Sequence, residues 1–188
     1  DKVYDRFRNR IMFPIRNTSG NIIAFGGRAL SKEDNAKYIN SPESKLFYKS
    51  SELYGLFESK QYINKIDQII VVEGYTDVIA LHQNGIKNAV AALGTAFTKF
   101  HINKLLRYSK NIVFCFDGDT AGQKAAWKAL VNCLPEIRDG VSIGFSFITD
   151  GKDPDELCNE NVDIFKTIIS KNTALSEFMF DNIRKNLD

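Results

Sequence analysis

Four short apolar runs punctuate the middle of the chain: Gln68 to Val72, Asn88 to Leu93, Asn111 to Phe116 and Val141 to Ile148. Each is the length of a strand and carries apolar residues at successive positions, as strands covered on both faces do. The stretches between them have helical spacing: Asp77 to Gln83 stopped by Gly85, Thr98 to Tyr108, and Ala121 to Leu134 stopped by Pro135. Strand alternating with helix predicts an α/β fold with a mostly parallel sheet flanked by helices.

The flanks read differently. Arg10 to Ile15 and Ile22 to Phe25 are two apolar runs joined by the turn cluster Asn17-Thr18-Ser19-Gly20-Asn21, which predicts a β-hairpin closed off by Gly26-Gly27. Ala29 to Ser51 is polar and reads as a long ordered or ligand-holding loop. Leu53 to Tyr62 has helical spacing, and the chain from Asp155 onward reads as mostly helical.

The hydrophobic fraction is 44% and the charged fraction 26%, ordinary values for a folded soluble protein. No apolar run approaches the ~20 residues that cross a bilayer, and no signal peptide is recognised, so a cytoplasmic protein without membrane contact is expected. Cys115, Cys133 and Cys158 form no CxxC pair, which argues against zinc and against a disulfide framework. Asp1 in place of an initiator Met suggests a piece of a longer chain. Net charge is only +2, but residues 6–49 hold nine Lys/Arg against three Asp/Glu. Such a segment is either a solvated face or a strip for a polyanion beside an acidic site.

That acidic site is visible in the pattern. Glu73 ends one buried strand and Asp117 another, Asp119 follows two residues later, Asp77 stands four residues after Glu73, and Asp153-Pro154-Asp155 follows the fourth strand. Ligands of parallel sheets bind beyond the carboxyl ends of strands, where these acids fall. If strand geometry persists, Asp117 and Asp119 share a face. Each acid alone reads as a helix cap. Gathered at one edge they repel unless a cation lies between them, and an all-oxygen set without His or Cys suits Mg²⁺ or Mn²⁺.

These residues resemble a known family. Glu73-Gly74-Tyr75-Thr76-Asp77 and Asp117-Gly118-Asp119-Thr120-Ala121-Gly122 resemble the first two toprim motifs, with Thr76 where a Met is common, and Asp153-Pro154-Asp155 resembles the third acidic element of primases. Upstream, Arg8-Asn9-Arg10-Ile11-Met12-Phe13-Pro14-Ile15, Gly26-Gly27-Arg28, Lys37-Tyr38-Ile39-Asn40-Ser41-Pro42-Glu43 and Leu53-Tyr54-Gly55-Leu56 resemble the core of bacterial DnaG-type primases, in order and across nearly the whole chain.

The resemblance implies a toprim, Rossmann-like sheet within an RNA polymerase that makes short primers on single-stranded DNA from nucleoside triphosphates by Mg²⁺- or Mn²⁺-dependent transfer. It implies a zinc-binding domain and a helicase-binding domain outside this chain, with no zinc in this part. Residues 1–60 would belong to the basic N-terminal subdomain, 61–150 to the toprim subdomain and 151–188 to a helical part. Glu73, Asp117 and Asp119 would be catalytic and hold metal, with Asp77, Asp153 and Asp155 completing the set; Arg28, Lys37, Asn40, Ser41 and Lys49 would bind nucleotide or DNA. A toprim topoisomerase or nuclease, a non-catalytic toprim DNA-binding module and a phage-type primase fused to a helicase are the competing readings. His82 and His101 read as structural or surface residues, Trp127 as core, Tyr75 as helix-face packing, and Phe178 and Phe180 as a docking face of a terminal helix.

Overall fold

The structure, a computed structural model, describes residues 4–31, 36–149 and 151–185. Asp1, residues 32–35 of the polar stretch and residues 186–188 of the C-terminal segment lie outside the described residues. Two sheets organise the chain. A three-stranded antiparallel sheet has the order β1 (Arg10–Arg16), β2 (Ile22–Ala29), β3 (Tyr38–Asn40). A six-stranded sheet has the order β4 (Leu53–Tyr54), β6 (Ala89–Ala92), β5 (Ile69–Val72), β7 (Asn111–Asp117), β8 (Ser142–Ile148), β9 (Thr173–Ala174). Its four central strands are parallel and its two short edge strands antiparallel. This is the α/β, mostly parallel architecture read from the sequence.

The apolar runs are continuous because both faces of the central strands are covered. Ile69, Val71, Ile112, Phe114 and Phe116 enter one core cluster, while Ile70, Val72, Val113 and Cys115 enter another. Successive side chains thus leave the pleat on opposite sides and still meet packed neighbours. Each buried Ile, Val or Phe contributes roughly 1.5–3 kcal/mol relative to exposure. Helices α3 (Lys99–Leu105), α4 (Thr120–Cys133) and α7 (Leu175–Lys185) supply the first cluster; α2 (Tyr75–Gln83), α5 (Pro154–Glu160) and α6 (Val162–Ser170) supply the second. An aromatic column, Phe97, Phe114, Phe145 and Phe178, with centroids 4.8, 5.4 and 4.6 Å apart, ties α7 and the segment leading into α3 to the sheet. Phe178 therefore docks on the sheet, whereas Phe180 is 64% exposed. Trp127 is half-buried against the first cluster, and all three cysteines are free and buried. No helix among the described residues is long and apolar enough to cross a membrane.

The hairpin forms from β1 and β2, but β2 runs on through Gly26 and Gly27 to Ala29 instead of ending at the two glycines. Two further local expectations are corrected. The polar stretch Ala29 to Ser51 contains β3, which pairs with β2 through Gly26↔Asn40, Gly27↔Ile39 and Arg28↔Tyr38. The stretch Leu53 to Tyr62 opens as β4 on the sheet edge, turns at Gly55 (φ 85°) and only then becomes helix α1 (Leu56–Tyr62). The C-terminal part is mostly helical, as expected, with the two-residue strand β9 paired to β8 between α6 and α7. All three strands are two or three residues long, so a distant partner, and no pattern of their own, makes them strands.

Candidate active site

Strands β5, β7 and β8 lie side by side and run parallel, so their carboxyl ends deliver Glu73, Asp117 and the Asp153-Pro154-Asp155 segment to one edge. Helix α2 begins immediately after Glu73 with Gly74 as its N-cap, and Asp77 at its third position accepts the Gly74 backbone N–H at 2.9 Å. Helix α4 begins at Asp119, whose Oδ1 accepts the Gly122 N–H at 2.7 Å. A Cβ on Gly122 would sit 2.1 Å from the Asp117 carbonyl oxygen, so only glycine lets α4 start this close to the end of β7. Asp155 accepts the Glu156 N–H at 2.8 Å.

The acids are close enough to disturb one another. Burial pushes Asp77 up to about 7, helped by the charges of Asp155, Asp117 and Asp153, and is opposed by its bond from Gly74. Burial pushes Asp117 up to about 6, followed by the charges of Glu73, Asp153, Asp119 and Asp155. Glu73 is raised first by burial, then by Asp119 and Asp153, against a backbone hydrogen bond from Asp117. Every charge acting on Asp77 and Asp117 is thus another carboxylate. No three acids among the described residues converge as a ready-made metal cage.

Acids and bases line one space. A cavity of about 560 Å³ is lined by Glu73, Asp77, Asp117 and Asp153 together with Arg6, Lys37, Asn40 and Lys49. An adjoining recess of about 370 Å³ is lined by Asp117, Asp119, Lys152 and Asp153. Asp119 lines the recess, which Asp117 lines as well, so the two acids meet at that space while Asp119 also caps α4. Asp155, Arg28 and Ser41 line neither space. The Arg28 guanidinium stacks over the Tyr38 ring at 5.8 Å, and the Ser41 hydroxyl is bonded to the Phe25 backbone N–H and C=O at 3.0 and 3.2 Å.

Arg6 is a lining residue that sequence reading counted but did not single out. It donates through Nε and Nη2 to the Asn40 carbonyl at 3.2 and 3.0 Å. Its only signal was membership of the basic segment. The two histidines are structural, as expected. His82 Nε2 bonds the Ala89 carbonyl. His101, fully buried, accepts the Thr98 N–H on Nδ1 at 3.1 Å and lies 2.9 Å from the Lys49 carbonyl through Nε2, an arrangement that needs the neutral ring.

Comparison with known proteins follows the same division. Residues 1–60 match the family model described as DNA primase catalytic core, N-terminal domain, and residues 67–143 match the toprim domain model. A DNA primase of Pseudomonas aeruginosa is 52% identical over 100% of this chain, which spans 28% of that protein's length. The crystal structure of a DNA primase domain from Pseudomonas aeruginosa superposes with a TM-score of 0.94 at 51% identity, covering 97% of this chain and 57% of that one. A DnaG primase catalytic domain bound to single-stranded DNA also superposes at 0.94, with 46% identity over 98% of this chain and 58% of that one.

Proposed function

Because the chain belongs to the bacterial DnaG-type DNA primase family, with the toprim fold, we propose that it is the nucleotide-gripping part of an RNA polymerase that makes short primers on single-stranded DNA. The observation that carries this reading is the single cavity lined by both the acids and the basic residues. A nucleoside triphosphate is a polyanion that carboxylates alone would repel. Lys37, Lys49 and Arg6 offer it positive charge, and the acids offer oxygen ligands to a cation.

The donor set fits Mg²⁺ or Mn²⁺. It is all oxygen, its members raise one another's pKa, and it does not close into a cage. Mg²⁺ takes one or two protein carboxylates and fills its shell with water and phosphate, so an open set suits it. Glu73, Asp77, Asp117, Asp119, Asp153 and Asp155 are the residues that would hold it. Bound there, the ion would neutralise developing phosphate charge and favour 3′-hydroxyl attack. The chain's own contribution is to orient the triphosphate among the basic and acidic residues, with Asp77 and Asp119 tied by backbone bonds that limit their motion.

On this reading residues 1–60 form part of the basic subdomain, 61–150 the toprim subdomain and 151–188 a helical part. The partners are single-stranded template, nucleoside triphosphates and a replicative helicase engaged through a domain outside this chain, in the bacterial cytoplasm. The DNA-cleaving toprim reading has no observation of its own. Labelled nucleotide incorporation on single-stranded DNA by the protein carrying this chain, with and without Mg²⁺ or Mn²⁺, tests the proposal. Metal-dependent primer synthesis is expected; nicking of supercoiled DNA without synthesis would overturn it.

A further inference from the structure

Tyr75 follows Glu73 and Gly74 at the start of α2, and it is 5% exposed. Its ring lies against Tyr54, Phe13 and Tyr38, with centroids 5.2, 5.3 and 5.7 Å away. It is wedged beneath β2: a Cβ on Gly26 would sit 2.9 Å from Tyr75 Cζ, so β2 passes over the ring only because position 26 has no side chain. Packing accounts for the ring. It does not account for the hydroxyl.

That hydroxyl donates to Asn40 Oδ1. The direction is fixed by the far side of the amide. Asn40 Nδ2 donates to the Leu93 carbonyl at 2.9 Å, a group that can only accept, so Oδ1 must be the atom facing Tyr75. Two residues before Asn40 on β3 and one residue after Tyr75 on α2, the Tyr38 and Thr76 hydroxyls meet at 3.3 Å. These two side-chain contacts join β3 to the start of α2. The pieces they join carry basic and acidic lining residues of the cavity: Lys37 immediately precedes β3, and Glu73 and Asp77 flank the start of α2.

We propose that Tyr75 is a positioning residue: through its bond to Asn40 it holds β3, and with it Lys37, at the separation from Glu73 and Asp77 at which a triphosphate is gripped by both sets of residues. The proposal rests on the primer-synthesis reading above for its ligand, but its structural half stands apart from it. A phenol that merely satisfies itself in a core would cost stability when removed and leave the grip alone. A pin between the two pieces would change the grip more than the chemistry.

Tyr75→Phe separates the two, because it keeps the ring and removes only the donor. In the protein carrying this chain, the KM for nucleoside triphosphate should rise about five- to tenfold, as expected for one lost buried hydrogen bond. The kcat and the divalent-ion dependence should stay within about twofold. Amide exchange at residues 38–40 should speed up about tenfold while exchange in β7 is unchanged. An unchanged KM, a fall in kcat without a rise in KM, or unchanged exchange at residues 38–40 would each overturn the pin. If the wild-type protein incorporates no nucleotide, the functional reading falls, and the exchange measurement still decides whether Tyr75 holds β3.

Discussion

The carboxylate of Asp119 accepts the backbone N–H of Gly122 at 2.7 Å, so an acid proposed for metal is also the N-cap of α4. The two roles can be separated, because Asn caps about as well as Asp and Ala does not. Asp119→Ala should cost about 1 kcal/mol and lower the melting temperature by about 2–4 °C. Asp119→Asn should melt within about 1 °C of wild type without metal, since that shift corresponds to only a few tenths of a kcal/mol. Both should lose roughly 10²-fold or more in primer synthesis. Near-normal synthesis by Asp119→Asn would leave Asp119 a cap and nothing else.

Asp77 is pushed up to about 7 from an ordinary 3.8. The folded state therefore keeps a proton that the unfolded chain releases, and the metal-free protein loses stability from this group as pH rises from about 4 to about 7. Asp77→Asn can still accept the Gly74 N–H and carries no charge. Its stability advantage over wild type should be small at pH 5 and larger at pH 8, measured by urea unfolding without divalent ion. An advantage that does not grow with pH would mean that Asp77 is not ionised against its neighbours.

A divalent ion that binds only the folded acids stabilises by mass action. For a Kd of about 1 mM and about 10 mM ion, the gain is roughly 1.4 kcal/mol, or about 3–6 °C in melting temperature. Thermal melts with Mg²⁺, Mn²⁺ or monovalent salt at equal ionic strength check this, since screening alone does not bridge carboxylates. Asp117→Asn should abolish most of the shift. Equal shifts from monovalent salt would remove the metal site.

His101 is pulled down to about 4 from 6.5, first by burial and then by the positive charge of Lys104, against its bond to the Lys49 backbone. The sign is opposite to that of Asp77. Stability is fully present above pH 6.5 and is lost as pH falls towards 4, because the unfolded state takes up the proton first. The loss should reach about 3 kcal/mol. His101→Gln should be less stable than wild type at pH 7.5 and should show a flatter decline between pH 6.5 and 4.5 in urea unfolding.

Lys37 lines the cavity, and Arg28 lies over Tyr38 outside it. Lys37→Ala should weaken triphosphate and single-stranded DNA binding and reduce the salt slope by about one contact. Arg28→Ala should weaken DNA binding by a similar step and leave triphosphate affinity within about twofold, as expected for a residue that makes no contact with the nucleotide. Titrations of each ligand at several salt concentrations distinguish the two; equal loss of triphosphate affinity would place Arg28 in the cavity's reach.

The parts of this protein readable from sequence are those in which neighbours along the chain decide the outcome. Ile69 to Val72 and Asn111 to Phe116 are apolar at every position because two cores cover them, and that requirement is written locally. Glu73 and Asp117 mark strand ends for the same reason: a carboxylate cannot continue a buried run, so the acidic edge was legible with the strands. The order of the strands was not, nor were β3, β4 and β9, whose two or three residues become strand only against distant partners. Asp119 caps α4 two residues beyond the end of the β7 ladder, a competition between cap and strand that spacing does not resolve. The basic lining of the cavity needed the fold most. Arg6, Lys37 and Lys49 are scattered over 44 positions, and Asn40 meets Tyr75 across 35 residues. Charge and hydrogen-bonding capacity are properties of a residue, but the separation at which they act belongs to the folded chain.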